Sequence, residues 1–229
     1  MPDDIDLRPL LGPNVLDQGF RPTCVAMAAS AAHEGLRSVH GAPGVHLAPE
    51  ALWWHSTNAG LTSEDGMLLG DIGEALEGPG QPELRDWPYN PNLGAGTEQP
   101  PSALPAPPWN RAQMRTLELH HNGLETPLEA ALQDRCPVIL IVEVTDEFYR
   151  PDEAGILSVP DFRAHAGGYH AVVCVGAFTH PTRGRLLLIK NSWGAEWGLG
   201  GCAWLPLDYL VAFVGQAAAV VDVEGDSDD

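Results

Sequence analysis

Basic residues are scarce in this chain of 229 residues: 12 Lys and Arg stand against 31 Asp and Glu, a net charge of −19. Lysine is reduced to a single residue, Lys190. Nucleic acid binding through phosphates needs a cationic surface, so no nucleic acid partner is expected. The acidic field keeps a protein soluble and draws in basic peptides. Cysteine is sparse too. Cys24, Cys136, Cys174 and Cys202 contain no CxxC pair, which argues against a zinc knot or redox motif. Four thiols are too few for a disulfide scaffold of this length, and they read as reduced, as in an intracellular setting. Long apolar runs are missing: none approaches the roughly 18–20 residues that cross a bilayer. The start, "MPDDIDLRPL", lacks the basic flank and apolar stretch of a secretory leader. With Met1 as the natural start, a cytoplasmic location without membrane association is the expectation.

What is present suits a globular protein: 44% hydrophobic and 19% charged residues. The run "TCVAMAASAAHEGLRS" predicts a strong helix, with Thr23 as its cap, Pro22 restricting the entry and Gly41 after the end. "LAPEALWWHSTNAG" and "LLGDIGEALEG" predict two more. Residues 79–110 are dense in proline and read as a long surface excursion, ordered in part by Trp87, Tyr89 and Trp109. Beyond it, "TPLEAALQDR" predicts a short helix with Pro127 near its first position. The runs "PVILIVEV", "YHAVVCVGAF", "RLLLIKNSW" and "QAAAVVDV" predict strands, with "THPTRGR" as a hairpin turn. Helices therefore come first and antiparallel strands second, an α+β layout in two lobes. We expect one domain over 1–229, with a helical lobe at about 10–110, a β lobe at about 111–223 and a frayed acidic tail, 224–229.

Three residues matter together. Cys24 opens the first helix, His170 begins the strand "HAVVCVGAF", and Asn191 ends the next strand. Each alone has a plain reading: a buried small residue, a strand-edge histidine, a turn residue. Together they meet the needs of an activated thiol. A thiol is a poor nucleophile until it ionises, and a helix N-terminus and a nearby imidazolium both favour the thiolate, lowering its pKa to roughly 3–4 in the strongest pairings. An asparagine amide oxygen on the far ring nitrogen fixes the imidazole's orientation. The Gln18 side-chain amide and the Cys24 backbone N–H stand where two oxyanion donors are needed.

The order "QGFRPTC … GYHAVVCVG … IKNSWGAEWGLGG" resembles the papain-like (C1) cysteine peptidases, and the likeness runs over nearly the whole chain. In that family the histidine and asparagine follow the cysteine by roughly 130–150 residues, and Asn191 here lies somewhat further on. The resemblance implies a two-lobed papain-like fold, with a helical N-terminal lobe, a barrel-like antiparallel β lobe and a cleft between them. It implies peptide-bond hydrolysis with Gln18 in the oxyanion hole, Cys24 as nucleophile, His170 as general acid and base, and Asn191 orienting it. Trp193 would cover the Asn191–His170 bond and count among the substrate-binding residues, and Trp197 would be structural. Gly66 would pair with an extended substrate backbone, with Met67 and Ala171 lining the pocket for the second residue before the cut bond. Departures stand beside this. Arg21 replaces the family's disulfide cysteine, Val25 replaces a tryptophan, and Tyr169 stands where Asn or Asp is frequent. The composition, rich in Arg, Ala, Gly and Pro, looks like that of a GC-rich bacterial genome. The mature-like region begins almost at Met1, so no propeptide is expected. Narrow specificity or an activating or inhibiting protein partner would then restrain the activity.

His165 competes with His170 but falls in the loop before the strand. His120–His121 and His33–Glu34 lack a convincing metal ligand set and read as solvated surface. No metal and no cofactor are expected. Besides hydrolysis, a thioester intermediate admits transpeptidation, ligation or deamidation. A non-catalytic peptide-binding module is the third reading, and it predicts an eroded triad.

Overall fold

The computed structural model describes residues 3–12, 14–160 and 168–222. Helix α1 (Cys24–Val39) forms where the sequence is richest in alanine, the best helix former. Its small side chains bring the helix close to neighbouring elements, and Ala26, Ala29 and Ala32 are fully buried. Thr23 occupies the N-cap position, but its side chain makes no capping bond. Its hydroxyl instead meets Tyr89 Oη at 2.6 Å, which corrects the expected cap. Helix α2 (Pro49–Asn58) begins with proline, whose fixed φ and missing N–H cost nothing there. Helix α3 (Ile72–Glu77) is short and ends at Gly78.

The excursion between α3 and the sheet is closed at its base by Gln81 and Asn110, which exchange backbone hydrogen bonds of 2.9 and 3.2 Å. Within it, Trp87 is buried against Ala48 and Ala51, with Trp54, Leu104 and Trp109 packed around that small second core. The expected anchoring by aromatics is what is found, because a segment without regular structure still has to bury apolar area to stay ordered.

The strands are β1 (Ile5–Asp6), β2 (Gln113–Thr116), β3 (Val138–Glu143), β4 (Tyr169–His180), β5 (Gly184–Lys190), β6 (Cys202–Pro206) and β7 (Val214–Val221). All pairings are antiparallel, in the order β2-β7-β3-β4-β5-β6, with β1 added to β4. The sheet is open. Its edge strands β2 and β6 do not pair with each other, so the expected barrel-like lobe is corrected to an open sheet with helices packed on it. Two more helices, α4 (Glu125–Gln133) and α5 (Leu207–Phe213), lie in this half. Strand β4 contacts both α1 and α4, and its residues from His170 to Ala177 are all buried. A central strand covered on its faces needs apolar residues at successive positions, which accounts for the unbroken run "AVVCV". Where β1 crosses β4, the backbone of Ile5 comes so close to Gly176 that any side chain there would collide with it.

One sequence expectation is reversed here. His33 and Glu34 are buried, 1% and 4% exposed, and not solvated surface. Gln81 Nε2 donates to His33 Nδ1 at 3.0 Å, and Glu34 Oε1 accepts from the Leu47 N–H at 3.0 Å and lies 3.1 Å from His46 Nδ1. Buried polar groups persist only with such partners. His120 and His121 are exposed as expected. His165 and the acidic tail lie outside the described residues. Among the described residues no helix is long and apolar enough to cross a membrane.

Candidate active site

Cys24 is the first residue of α1, and His170 is the second of β4, directly opposite Val142 of β3. Since α1 packs on β4, both residues reach one cleft of about 730 Å³. The backbone N–H of Ala171, the residue after the histidine, points a hydrogen bond at the Cys24 sulfur. The segment before Cys24 is tied to the segment after β5: Gln18 N–H donates to Ser192 O at 2.9 Å and Gly194 N–H to Leu16 O at 3.2 Å. These two bonds bring Gln18 beside Asn191. The structure thus assembles Gln18, Cys24, His170 and Asn191 from four separate segments.

The protonation of the imidazole can be derived. Asn191 Oδ1 lies 2.8 Å from the Ser192 backbone N–H, which can only donate, so the amide oxygen is the atom that faces it. The same oxygen lies 2.7 Å from His170 Nε2. An oxygen accepts, so Nε2 carries the proton and Nδ1 is left as the basic atom for the thiol. Gln18 is held at both ends. Its Oε1 accepts from Ser192 Oγ at 2.6 Å, and its Nε2 donates to Arg21 O at 2.8 Å. An amide nitrogen has two N–H groups, so one remains for a ligand. Ser192 escaped the sequence reading, although it stands inside the "NSW" stretch that drew attention to Asn191.

Aromatic rings wall off the imidazole. Trp193 stacks on His170 with centroids 4.6 Å apart, and Tyr149 stacks on Trp193 at 5.3 Å. Phe148 meets His170 edge-on at 6.2 Å and Trp193 at 5.6 Å, and Trp197 lies behind it at 5.5 Å. Phe148 and Tyr149 were not singled out from sequence, because "DEFY" carries no periodic signal. Trp193 stands beside the imidazole and is not among the residues that line the Cys24–His170 cleft.

Burial works against charge on either reacting group. It pushes the Cys24 thiol up, against the N–H groups of Ala171, Val25 and Cys24, which pull the other way. It takes the His170 imidazole down to about 4, with the Asn191 bond opposing. Each of these shifts is that of one group by itself; a thiolate and an imidazolium brought together favour one another's charged forms.

Gly66, Met67 and Ala171 all line the cleft, together with Leu61, Leu68 and Ile141. Gly66 has φ +113°, a conformation open to glycine, and a β-carbon there would come within 3.1 Å of Pro22 O. Its main-chain groups are already engaged. Gly66 O accepts from Ser63 N–H at 2.8 Å, and Gly66 N–H donates to Ser63 O at 3.2 Å. A carbonyl oxygen has two lone pairs, so this turn does not bar Gly66 O from a further donor. Two carboxylates, Asp65 and Asp71, also line the cleft and were not foreseen.

A helix-borne thiol and an asparagine-held imidazole thus meet at one cleft of an α+β fold. The family model described as papain family cysteine protease matches residues 1–208, and the chain belongs to that family. Among solved structures it is similar to xylellain, a cysteine protease from Xylella fastidiosa, with a TM-score of 0.78 at 19% identity over 98% of this chain and 87% of that one. It is also similar to a cysteine protease of Carica candamarcensis in complex with E-64, with a TM-score of 0.73 at 21% identity over 97% and 99% of the two chains. At such identities these establish the fold. Silicatein of the sponge Petrosia ficiformis is 31% identical over 80 residues, 35% of this chain and 23% of that protein. The chain thus spans about a quarter of that relative's length. All four cysteines are free.

Proposed function

We propose that this protein is a cysteine peptidase that cleaves peptide bonds in peptide or protein substrates through an acyl-enzyme thioester. The observation that carries the reading is the Nε2–H tautomer of His170, fixed by Asn191 Oδ1, at a cleft shared with the Cys24 sulfur. Cys24 Sγ attacks the carbonyl carbon while its proton passes to His170 Nδ1. Because burial disfavours either charge alone, the two charges arise together, and each supports the other in a site of low dielectric. The N–H groups of Ala171 and Val25 hold the sulfur as it gains charge. The free Gln18 N–H and the Cys24 N–H receive the oxyanion. His170 then gives its proton to the leaving amine, leaving the thioester and a neutral imidazole. Water, deprotonated by Nδ1, attacks the thioester, and the proton returns to sulfur as the acid leaves. Trp193 keeps solvent from the Asn191–His170 bond through these steps.

The test is a peptide-library digest read by mass spectrometry, with the wild-type chain, C24A and H170A side by side, in the presence and absence of an added amine. Cleavage that C24A and H170A both abolish, with free acids as products, is expected. Products capped by the amine would assign the chain to aminolysis, and no cleavage by the wild type over the library would end the peptidase reading.

A further inference from the structure

The loop from Gln18 to Thr23 carries an arginine that is 1% exposed. Its guanidinium has five N–H groups, and the structure provides an acceptor for every one. Nη1 donates to Glu50 Oε2 and, at 3.0 Å, to Asn90 O. Nη2 donates to Glu50 Oε1 at 3.2 Å and Gly96 O at 2.8 Å, and Nε to Gly94 O at 3.2 Å. The Glu50 carboxylate is fully buried in the first turn of α2 and accepts further from Thr97 Oγ1 at 2.8 Å and Glu98 N–H at 3.0 Å. The Tyr89 ring lies under the guanidinium at 4.6 Å, and its hydroxyl donates to Gln18 O at 3.0 Å. One residue thus joins the loop to α2 and to the excursion. A lysine cannot replace it there, having three donors and no planar fork.

The consequence lies at the other end of the same residue. Arg21 O is the acceptor that holds Gln18 Nε2 at 2.8 Å. Gln18 O, in turn, is the acceptor for Tyr89 Oη and for the Arg21 N–H at 3.4 Å. The side chain of Arg21 therefore fixes the position of the carbonyl that orients the Gln18 amide. Building on the peptidase reading above, we infer that Arg21, clamped by Glu50, is the positioning residue of the oxyanion hole. It touches no reacting atom and acts through Gln18, setting the direction of the N–H that remains free.

Two kinds of reaction at Cys24 separate this role from general scaffolding. Attack on a peptide carbonyl builds an oxyanion, whereas displacement at iodoacetamide carbon by the same sulfur builds none. The double variant R21M/E50Q removes both charges, so neither is left buried alone. It is expected to lower kcat/KM for peptide cleavage roughly 10- to 100-fold, the scale of a misplaced oxyanion donor. Alkylation of Cys24 by iodoacetamide should stay within about threefold of wild type. In the double variant, adding Q18A should cost little more, since the donor is already misplaced. R21K, which keeps the charge, serves if the double variant does not melt cooperatively, and the same split is expected of it. Parallel losses in cleavage and alkylation would assign Arg21 to scaffolding alone and overturn the inference. So would a Q18A cost that is unchanged in the variant background. If Q18A in the wild-type background costs nothing while C24A abolishes cleavage, the oxyanion assignment of Gln18 fails and this inference with it. If C24A itself has no effect, the peptidase reading is what fails.

Discussion

Replacing Asn191 by alanine removes one oxygen that serves two buried donors, and the effect can be worked out before it is measured. Asn191 and His170 are 3% and 6% exposed, and the shared oxygen sits 2.7 Å from His170 Nε2 and 2.8 Å from Ser192 N. A hydrogen bond to a charged group is worth about 1.5–3 kcal/mol, or about one to two pKa units. That bond opposes the burial that takes His170 down to about 4, so N191A must lower the imidazole further. At a given pH above this range the imidazolium population then falls roughly 10- to 100-fold. The two N–H groups left unpaired cost about 1–3 kcal/mol each in stability. N191D acts in the opposite direction, because a carboxylate at the same place favours the imidazolium and moves the acid limb of kcat/KM to higher pH. The assay is a nitrogen-15 NMR titration of His170 in the C24A background, beside the pH profile of cleavage in the Cys24 proteins. The neutral ring should show its proton on Nε2, and its titration should move down in N191A and up in N191D. An Nδ1–H tautomer, or a titration that both variants leave in place, would refute the reasoning.

Two further outcomes follow from single contacts. Trp193 covers His170 at 4.6 Å, so W193A should admit water to the Asn191 bond and lower kcat roughly 10-fold while W193F stays close to wild type. Steady-state kinetics decides: a rise in KM with kcat unchanged would make Trp193 a substrate-binding residue instead. Burial, with the Arg37 cation adding to it, takes His33 from its ordinary 6.5 down to about 3. The unfolded chain therefore binds a proton that the folded one refuses, and stability present above pH 6.5 is lost as pH falls towards 3. At a pH two units below the ordinary value the loss is on the order of 2–3 kcal/mol. Denaturant unfolding of wild type and H33N at neutral and acid pH should show the wild type losing more. Equal losses would mean that His33 does not carry this acid sensitivity.

The contrast between legible and hidden features has a physical pattern. Strand β4 was readable because a strand covered on both faces is apolar at every step, and α1 because alanine dominates it. Strand β6 and helix α5 were missed since "CAWLPLDYLVAF" is one apolar run in which only Pro206 separates strand from helix. Strand β2, "QMRT", sits at a sheet edge and needs no apolar alternation. Whether the sheet closes depends on where its edges lie, which no local pattern records. Cys24, His170 and Asn191 were legible because their chemistry is paired with short motifs in a fixed chain order. Thr23 was misread and Arg21 left as a departure because their partners decide their roles. Tyr89 is 66 residues from Thr23, and the acceptors of Arg21 lie at Glu50, Asn90, Gly94 and Gly96.

His33 is the instructive error, because the sequence did hold its signal. Ala26, Ala29, His33 and Leu36 recur at spacings of 3 and 4, the stripe that one face of a helix presents to a core, and all four are buried. A histidine on that stripe cannot be solvated without exposing the alanines beside it. It has to be neutral and hydrogen-bonded, or burial would cost more than the helix gains. The partner, Gln81, was then to be sought in the next segment that can reach α1, and the start of the proline-dense excursion was such a segment. A polar residue on an apolar stripe therefore predicts a buried partner from a distant segment. The same logic applied to Arg21, which stands between the glutamine and the helix, would have asked for a buried carboxylate and found Glu50 on the next helix.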